Sequence, residues 1–389
     1  MDKTILSRLN APAAEQRLEA LRQVLSEEKE KPPVRSEYAN NHIHTIYSFS
    51  PYSPTAAVYF ARQAGLPTAG IMDHDNMAGS FEFIEAGKIA GVATTVGIET
   101  RVSVAGTPLE GRFINSPDQP GVAYMAFHGV PHQNIRFLQD TFAPLRANRL
   151  VRNRKMVDNI NELVGSSGIV LDFDADVMPL SRYDEGGAVT ERHLMFALAK
   201  KIAETCGKDT AAFLQDKLGL TLSEKQLGQL AEPDSGYYLY DILGILKSYL
   251  VKKIYVPATD EMLHISDLAP LAKKSDSLLC YAYLGDVTNS VTGDKAAQKF
   301  EDDYLELLFD VMKEQGIDAV TYMPSRNTEA QLERVMKLCD TYGFMQISGE
   351  DINSPRQEFI CRQLANSAYR HLIDATWALI EREKSHTVL

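Results

Sequence analysis

The sequence predicts an alternating α/β barrel that carries an inserted helical subdomain. From residue 39 onward, short apolar segments of strand length alternate with longer segments of helical period. Strand–helix–strand repetition of this kind favours a parallel sheet with crossover helices. Several apolar segments are followed directly by histidine, aspartate or glutamate, and the C-terminal strand ends of a parallel barrel lie on one face. The 389 residues are enough for one large domain with insertions.

The charge and cysteine content argue against several classes of protein. The chain has 40 Lys and Arg against 52 Asp and Glu, a net charge of −12, which disfavours a protein that wraps duplex DNA or binds a membrane surface. Its four cysteines form no CxxC pair, so neither a zinc knuckle nor a disulfide framework is expected. The N-terminus has no signal-peptide core, and the apolar residues 237–251 are too few to span a bilayer. We therefore expect a cytoplasmic protein without a membrane partner.

The predicted elements follow a helical N-terminal extension, residues 1–36. Pro12 predicts a break in this extension, and its charged end EEKEKPP predicts a solvated face. Helices are predicted at 54–65, 300–316 and 327–343 from their start signals and closing glycines, and a last helix at 354–384. The seven predicted strands are residues 39–44, 68–72, 94–98, 123–127, 277–283, 319–322 and 344–348.

One helical subdomain is predicted to interrupt the barrel. Residues 208–272 break the alternation, which divides the barrel into 37–207 and 273–389. Within the insertion, residues 237–251 are apolar enough for a core helix, and a lid or a dimer contact are the alternatives. The basic run 146–155 is interpreted as a solvated helix face and not as a phosphate groove, because most charge runs are solvated.

Residues that could bind a metal follow five of the predicted strands. His42 and His44 are two residues apart on an extended segment, so both imidazoles point to one side. His74 is preceded by Asp73, whose expected task is to orient the imidazole. Imidazoles and carboxylates together suit Zn, Mn or Fe better than Ca or Mg. The sequence therefore predicts a transition-metal site with these candidate ligands: His42, His44, His74, Glu99, His128 and Asp351.

These residues resemble the motifs of the PHP superfamily, the polymerase and histidinol phosphatase domains. The chain is similar above all to the stand-alone metal-dependent phosphoesterases of that group. The opening HxHT motif is similar to His42-Ile43-His44-Thr45, and the TDHD motif resembles Met72-Asp73-His74-Asp75. The remaining motifs resemble Gly97-Ile98-Glu99, His128, Arg192-His193 and Gly349-Glu350-Asp351-Ile352-Asn353.

The resemblance implies a distorted seven-stranded (β/α)7 TIM-like barrel and hydrolysis of a phosphoric ester. It implies one or two divalent transition metals (Mn, Zn or Fe), no organic cofactor, and a metal-activated water as nucleophile, with no side chain assigned as catalyst. Arg192 and His193 are then the expected substrate-binding residues, and Asp73, Asp286 and Asn353 are expected either to bind metal or to orient its ligands. The expected substrate is a small phosphate ester, a nucleotide or a short oligonucleotide end; the oligomeric state stays open.

The family pattern is broken at three positions. Phe49 stands where the family has an aspartate, Tyr283 where it has a histidine, and Asn353 replaces the last histidine. The alternative to an active enzyme is therefore a degenerate domain that binds a metal or a ligand without turnover. A third interpretation, a deaminase of the amidohydrolase type, ranks last because it needs histidines at later strand ends, and none of the five histidines after His128 follows a predicted strand.

Overall fold

The protein is a mixed α/β molecule built around one curled seven-stranded sheet, seen in a computed structural model that describes residues 2–286 and 299–387. The strand order is β1-β2-β3-β5-β6-β7, with β4 paired to β2. The strands are β1 Thr68–His74, β2 Ala93–Ser103, β3 Val122–His128, β4 Leu263–His264, β5 Leu278–Ala282, β6 Ala319–Tyr322 and β7 Met345–Ser348.

The sequence predicted a parallel sheet, but the observed sheet is mixed. Strand β3 runs antiparallel to both of its neighbours, β2 and β5. The chain from 104 to 121 contains no helix, and Ser103 at the end of β2 lies opposite Val122 at the start of β3. A strand that returns without a crossover helix pairs antiparallel. The pairs β1–β2, β5–β6 and β6–β7 are parallel as expected.

The predicted first strand, residues 39–44, is reduced to single bridges at one residue. Ile43 pairs in parallel with Ile71 of β1 and with Ile352 after β7, so the chain around it lies between the two ends of the strand order. The backbone around Ile43 lies close to Gly70 and Gly349. A Cβ atom on Gly70 would lie 2.7 Å from the Asn41 Cα, and one on Gly349 would lie 2.6 Å from the His42 Cβ. Both glycines are therefore required by packing.

Fourteen helices are found among the described residues. They are α1 Lys3–Leu9, α2 Ala14–Glu27, α3 Pro54–Gln63, α4 Ser80–Ala90, α5 Ile135–Thr141, α6 Ala143–Val164, α7 Glu191–Cys206, α8 Thr210–Asp216, α9 Glu224–Leu230, α10 Tyr238–Ile254, α11 Ile265–Ser275, α12 Leu305–Glu314, α13 Glu329–Tyr342 and α14 Arg370–His386. Every one of them is too short or too polar to cross a bilayer.

The predicted helices near 54–65, 300–316 and 327–343 are confirmed as α3, α12 and α13. The predicted helix 354–384 is wrong over its first half, because α14 begins only at Arg370. The Gln357 side chain binds the backbone N–H groups of Asn353 and Ser354 and the Asp351 carbonyl, which stabilises a loop there. Two short 3₁₀ turns, Arg362–Ala365 and Ser367–Tyr369, then lead into α14.

The described part of the chain contains two large apolar cores. The first lies between the sheet and its surrounding helices. The second is formed chiefly by α6, α7 and α10, and it contains Ile242 and Leu246 of the apolar stretch that was predicted as a core helix. The predicted subdomain 208–272 contributes to both, since Ile265 and Leu268 lie in the first core and Ile242 lies in the second. Its boundaries stay a prediction.

The N-terminal extension is helical and broken near Pro12, as predicted, but one of its charged residues is buried. The Arg17 side chain is fully buried and forms a two-pronged ion pair with Glu82 of α4, at 2.6 and 2.9 Å. Arg17 also donates to the carbonyls of Ala11 and Pro12. The extension is therefore held to the body by a buried charge pair with its hydrogen bonds satisfied.

Replacing one partner of this buried pair is expected to destabilise the fold strongly. Arg17→Met leaves the Glu82 carboxylate buried and unpaired, which should cost about 3–5 kcal/mol in the free energy of unfolding measured by urea titration. Arg22→Ala removes an exposed pair with Glu19 and should cost less than about 1 kcal/mol. Similar losses for the two variants would contradict the role assigned to Arg17.

Glu301 is a second buried charge, and burial raises its pKa to about 7. Its Oε1 accepts hydrogen bonds from the Tyr281 hydroxyl and from the N–H groups of Leu284 and Gly285, at 2.9, 2.8 and 3.2 Å. The Oε2 atom has no partner among the described residues. This carboxyl holds the turn after β5.

Stability should fall between pH 4.5 and pH 7 because of Glu301. The folded state retains the Glu301 proton up to about pH 7, whereas the ordinary pKa of this carboxyl is 4.5. The protonated carboxyl therefore contributes its full stabilisation of the folded state below pH 4.5, and this contribution is lost as the pH rises through 7. Glu301→Gln should therefore be more stable than the parent by up to about 3 kcal/mol at pH 8 and equal to it near pH 4. A constant difference across this range, measured by urea titration, would exclude Glu301 as the titrating group.

Candidate metal centre

Four separate segments bring imidazoles and carboxylates together at one end of the sheet. The bridging segment around Ile43 contributes His42 and His44, β1 ends at His74, Glu99 lies in β2, and Asp351 follows β7. These side chains form two triplets whose ligand atoms lie within 4.8 Å of one another: His42, His44, Asp351 and His44, His74, Glu99. Five of the six predicted ligands are thus close together.

Glu99 is the centre of this cluster. Its Oε2 lies 3.0 Å from His74 Nδ1, 3.6 Å from His42 Nε2 and 3.9 Å from His44 Nε2. Burial alone would raise the pKa of this carboxyl, but the charges of His42 and His74 outweigh burial and lower it. The carboxylate is therefore ionised at neutral pH and faces three imidazoles.

Burial and neighbouring charges shift the pKa values of His42 and His44. Burial and the charge of His74 lower the pKa of His44, while Asp351, 3.1 Å from the His44 Nε2, acts in the opposite direction. For His42, burial opposes protonation, but Glu99 outweighs it and raises the pKa. The Asp351 carboxyl is buried, yet His44 and His42 hold its pKa well below the ordinary value.

His128, the sixth predicted ligand, belongs to neither triplet. Because Ile98 pairs with Phe127, the antiparallel β3 still ends beside Gly97, two residues from Glu99. Burial and the charge of His42 lower the His128 pKa to about 3. Its buried Nε2 has no hydrogen-bond partner within the described ranges. His128 is thus a neutral imidazole with an unused nitrogen near the cluster.

The residues present fit a divalent transition metal. Neutral imidazole nitrogens and ionised carboxylates are the ligand types that Zn, Mn and Fe accept. The unused His128 nitrogen is costly in a buried site unless something binds it. His44 occurs in both triplets, and one imidazole nitrogen carries one lone pair, so a second ion would need further donors.

Asp73, predicted to orient an imidazole, is connected through Ser48 to His44. It accepts hydrogen bonds from Thr45 N and Oγ1 and from Ser48 Oγ, at 2.7, 2.6 and 2.5 Å. Ser48 Oγ also lies 3.2 Å from His44 Nδ1. Since the Ser48 proton is donated to Asp73, Ser48 accepts from His44 Nδ1–H. This network assigns the tautomer and leaves the His44 Nε2 lone pair facing the carboxylates.

The positions that depart from the family pattern have other contacts. Asn353 donates from Nδ2 to Asp351 Oδ1 at 2.6 Å and so orients that carboxylate. The Tyr283 hydroxyl donates to Asp302 at 2.6 Å, and Asp286 accepts from Phe300 N, outside both triplets. Phe49 packs in the second core.

Arg192 and His193, the predicted substrate contacts, have different surroundings. Arg192 lines a cavity of about 720 Å³ that also reaches Asp351, and its charge is one cause of the low Asp351 pKa. His193 is buried: its Nδ1 accepts from Thr190 N at 3.0 Å, and its ring lies 5.1 Å from that of Phe49. Burial lowers its pKa to about 3. His193 therefore stabilises the first turn of α7 by this hydrogen bond.

The basic run 146–155 was predicted as a solvated face, and that prediction is wrong for three of its arginines. Arg146, Arg149 and Arg152 are buried, because a spacing of three places them on one side of α6. Arg149 pairs with Asp75 at 2.5 Å, and Arg149 and Arg152 both contact Glu261. The spacing was the available signal; the acidic partners are too distant in sequence to identify.

The family comparison agrees with this geometry. Residues 40–223 match the model of the PHP domain. No curated protein was similar enough in sequence to count as a relative.

Two solved structures share the fold. A protein assigned as a metal-dependent phosphoesterase from Bifidobacterium adolescentis aligns with a TM-score of 0.54 and 19% identity, over 89% of this chain and 98% of its own. An amidohydrolase from Chromobacterium violaceum, solved with bound sulfate and no metal, aligns with a TM-score of 0.55 and 16% identity, over 87% of this chain and 96% of its own. Identities this low show a common fold and leave activity open. The match of residues 40–223 to the PHP-domain model confirms the resemblance that the motifs predicted.

Proposed function

We propose that the protein is a metal-dependent phosphoesterase that hydrolyses a small phosphate ester. The observation that carries this proposal is the convergence of five imidazole and carboxylate side chains within the family's domain, beside a cavity that contains Arg192. One structural neighbour is assigned as a phosphoesterase, and the other binds sulfate, an anion of similar shape to phosphate. A nucleotide or a short oligonucleotide end belongs to the same class of substrate.

One or two divalent ions, Mn, Zn or Fe, would be held by His42, His44, His74, Glu99 and Asp351, with His128 as a further donor. Such an ion lowers the pKa of a water that it binds and neutralises charge on a phosphoryl oxygen. The chain's own part is orientation. Ser48 and Asp73 hold His44 in one tautomer, and Asn353 holds Asp351.

Arg192 is the proposed phosphate-binding cation. The chain has a net charge of −12, so a phosphate ester approaches against long-range repulsion and needs a local positive group. Arg192 lines the same cavity as Asp351, and a guanidinium can bind two phosphate oxygens at once. His193 holds the first turn of the helix on which Arg192 lies.

The alternative function is a degenerate domain that binds a metal without turnover. It is favoured by the contacts of Phe49 and Tyr283, which are used for packing and for a hydrogen bond to Asp302. The amidohydrolase neighbour does not favour deamination, because a likeness at 16% identity shows the fold alone. Stoichiometric metal with no hydrolysis of any phosphate ester would decide for the degenerate domain.

Loss of one imidazole ligand is expected to abolish hydrolysis. His42→Ala and His44→Ala should each lower kcat/KM for 4-nitrophenyl phosphate with added Mn²⁺ by more than about 100-fold, because catalysis depends on the bound ion. Metal content by elemental analysis should fall in parallel. His371→Ala, which removes a histidine of α14 beside Gln346, is the matched control and should retain activity. Undiminished hydrolysis by the first two variants would refute the proposal.

Removal of the Ser48 hydroxyl should weaken metal binding without changing a ligand. Ser48→Ala and Asp73→Asn release the His44 tautomer, and Mn²⁺ or Zn²⁺ affinity measured by calorimetry should fall about 10–100-fold. Ser50→Ala serves as the control, because its hydroxyl contacts Tyr52 N in the same loop. Equal affinities for the Ser48 and Ser50 variants would exclude the orienting role.

A further inference from the structure

We infer that Arg356 forms a second anion-binding position in the cavity, and that the substrate therefore carries an anionic group besides its scissile phosphate ester. This inference rests on the proposed phosphoesterase function. Arg356 lines the cavity of about 720 Å³ together with Asp351 and Arg192. A cavity of this size is typical of sites that bind a whole small molecule, and inorganic phosphate alone would fill a small part of it.

The Arg356 guanidinium is held rigidly on one edge. Its Nε and Nη2 donate to the two carboxylate oxygens of Asp241, at 2.6 and 2.8 Å. Its Cζ lies 4.5 Å from the centre of the Tyr237 ring. The Asp241 side chain is only 3% exposed, whereas that of Arg356 is 42% exposed. A buried carboxylate and an aromatic ring therefore position a guanidinium that still reaches solvent.

The opposite edge of this guanidinium is available. A guanidinium has five N–H donors, and Asp241 occupies two of them. No other hydrogen-bond partner of Arg356 is found within residues 2–286 and 299–387. The remaining Nη1 and Nη2 protons form a second fork of the geometry that binds carboxylate or phosphate oxygens in pairs.

Arg356 is also fixed relative to the metal centre. The Gln357 side chain accepts from the N–H groups of Asn353 and Ser354 and donates to the Asp351 carbonyl, at 2.7 Å in each case. The same short loop thus carries the metal-facing Asp351 and the Arg356 fork. Arg356 is the fifth residue after Asp351, so their Cα atoms are at most roughly 18 Å apart, a span that one small molecule can bridge.

The other charges on the cavity wall do not cancel this position. Of the carboxylates that line the cavity, Asp241 binds Arg356, Glu358 binds Arg362, and Asp351 contacts His44. Glu350 accepts a hydrogen bond from the Ser325 hydroxyl at 2.7 Å. A second anion of the substrate would therefore meet carboxylates that already have partners.

The test compares esters with and without a second anion. We would measure kcat/KM, with added Mn²⁺, for α,ω-alkanediol bisphosphates, for ω-phosphooxyalkanoic acids and for the alkyl phosphates of equal length. The parent protein should prefer a doubly anionic ester by about tenfold or more. The bisphosphate and carboxylate series distinguish which second anion is bound. In Arg356→Gln the preference should fall to about one. Equal kcat/KM for singly and doubly anionic esters in the parent would overturn the inference.

Two further variants distinguish loss of the anion-binding position from a general loss of folding. Arg356→Lys keeps a charge opposite Asp241 but has no second fork, so it should fold and still lose the preference. Arg362→Gln changes another cavity arginine, whose side chain is 73% exposed, and should keep the preference. A preference that survives Arg356→Lys and Arg356→Gln would also refute the inference.

Calorimetric binding of a bisphosphate separates this inference from the proposed function. If no ester is hydrolysed, but the bisphosphate binds more tightly than the alkyl phosphate and Arg356→Gln removes the difference, the anion position stands and the phosphoesterase proposal falls. If esters are hydrolysed without preference, and the two ligands bind equally, the reverse holds.

Discussion

The structure depends on the insertion of residues 42–44 between β1 and the chain after β7. Gly70 and Gly349 leave the space for it, and the resulting register places the Glu99 carboxylate within 3.9 Å of nitrogen atoms of three imidazoles. A buried carboxylate without positive partners is costly, so a slip of this segment by one residue would turn the imidazoles away and leave Glu99 unpaired. Packing and chemistry therefore require the same register.

The two aspartates around His74 connect the candidate metal centre to different parts of the molecule. Asp73 binds Thr45 and Ser48 and so holds the loop that follows His44. Asp75 binds Arg149, which belongs to a buried ion network that continues through Glu261 and Arg152 to Glu191. Glu191 is the first residue of α7, and Arg192 follows it. The ion network therefore runs from Asp75, next to His74, to Glu191, next to Arg192, and connects the strand that carries one candidate ligand to the helix that carries the candidate phosphate-binding arginine.

The sequence was sufficient for features that depend on local pattern. An apolar run followed by His, Asp or Glu located β1 and the end of β7, and a proline or an acidic turn with a closing glycine located α3, α12 and α13. It was insufficient where the outcome depends on distant partners. The direction of β3 follows from a connection that lacks a helix, and the burial of Arg149 follows from Asp75 and Glu261, which lie 74 and 112 residues away along the chain. The loop before α14 depends on one amide side chain, Gln357, whose contacts no periodicity reveals.

Phe49 and Asn353, which stand where the resemblance predicted metal ligands, have structural contacts of their own. Phe49 has a positive φ of 93°, a conformation that costs free energy for a bulky residue and persists only where packing compensates for it. Its ring lies 5.4 Å from Phe196 and 6.1 Å from Tyr240, so the position where the resemblance predicted an aspartate joins the second core to the loop that carries His44. Asn353, in turn, supports Asp351. A site that had only decayed would be expected to lose such support together with its ligands. The side chains that cluster at the candidate centre keep their orienting contacts, Ser48 for His44 and Asn353 for Asp351, and these contacts support the proposal of a working metal centre.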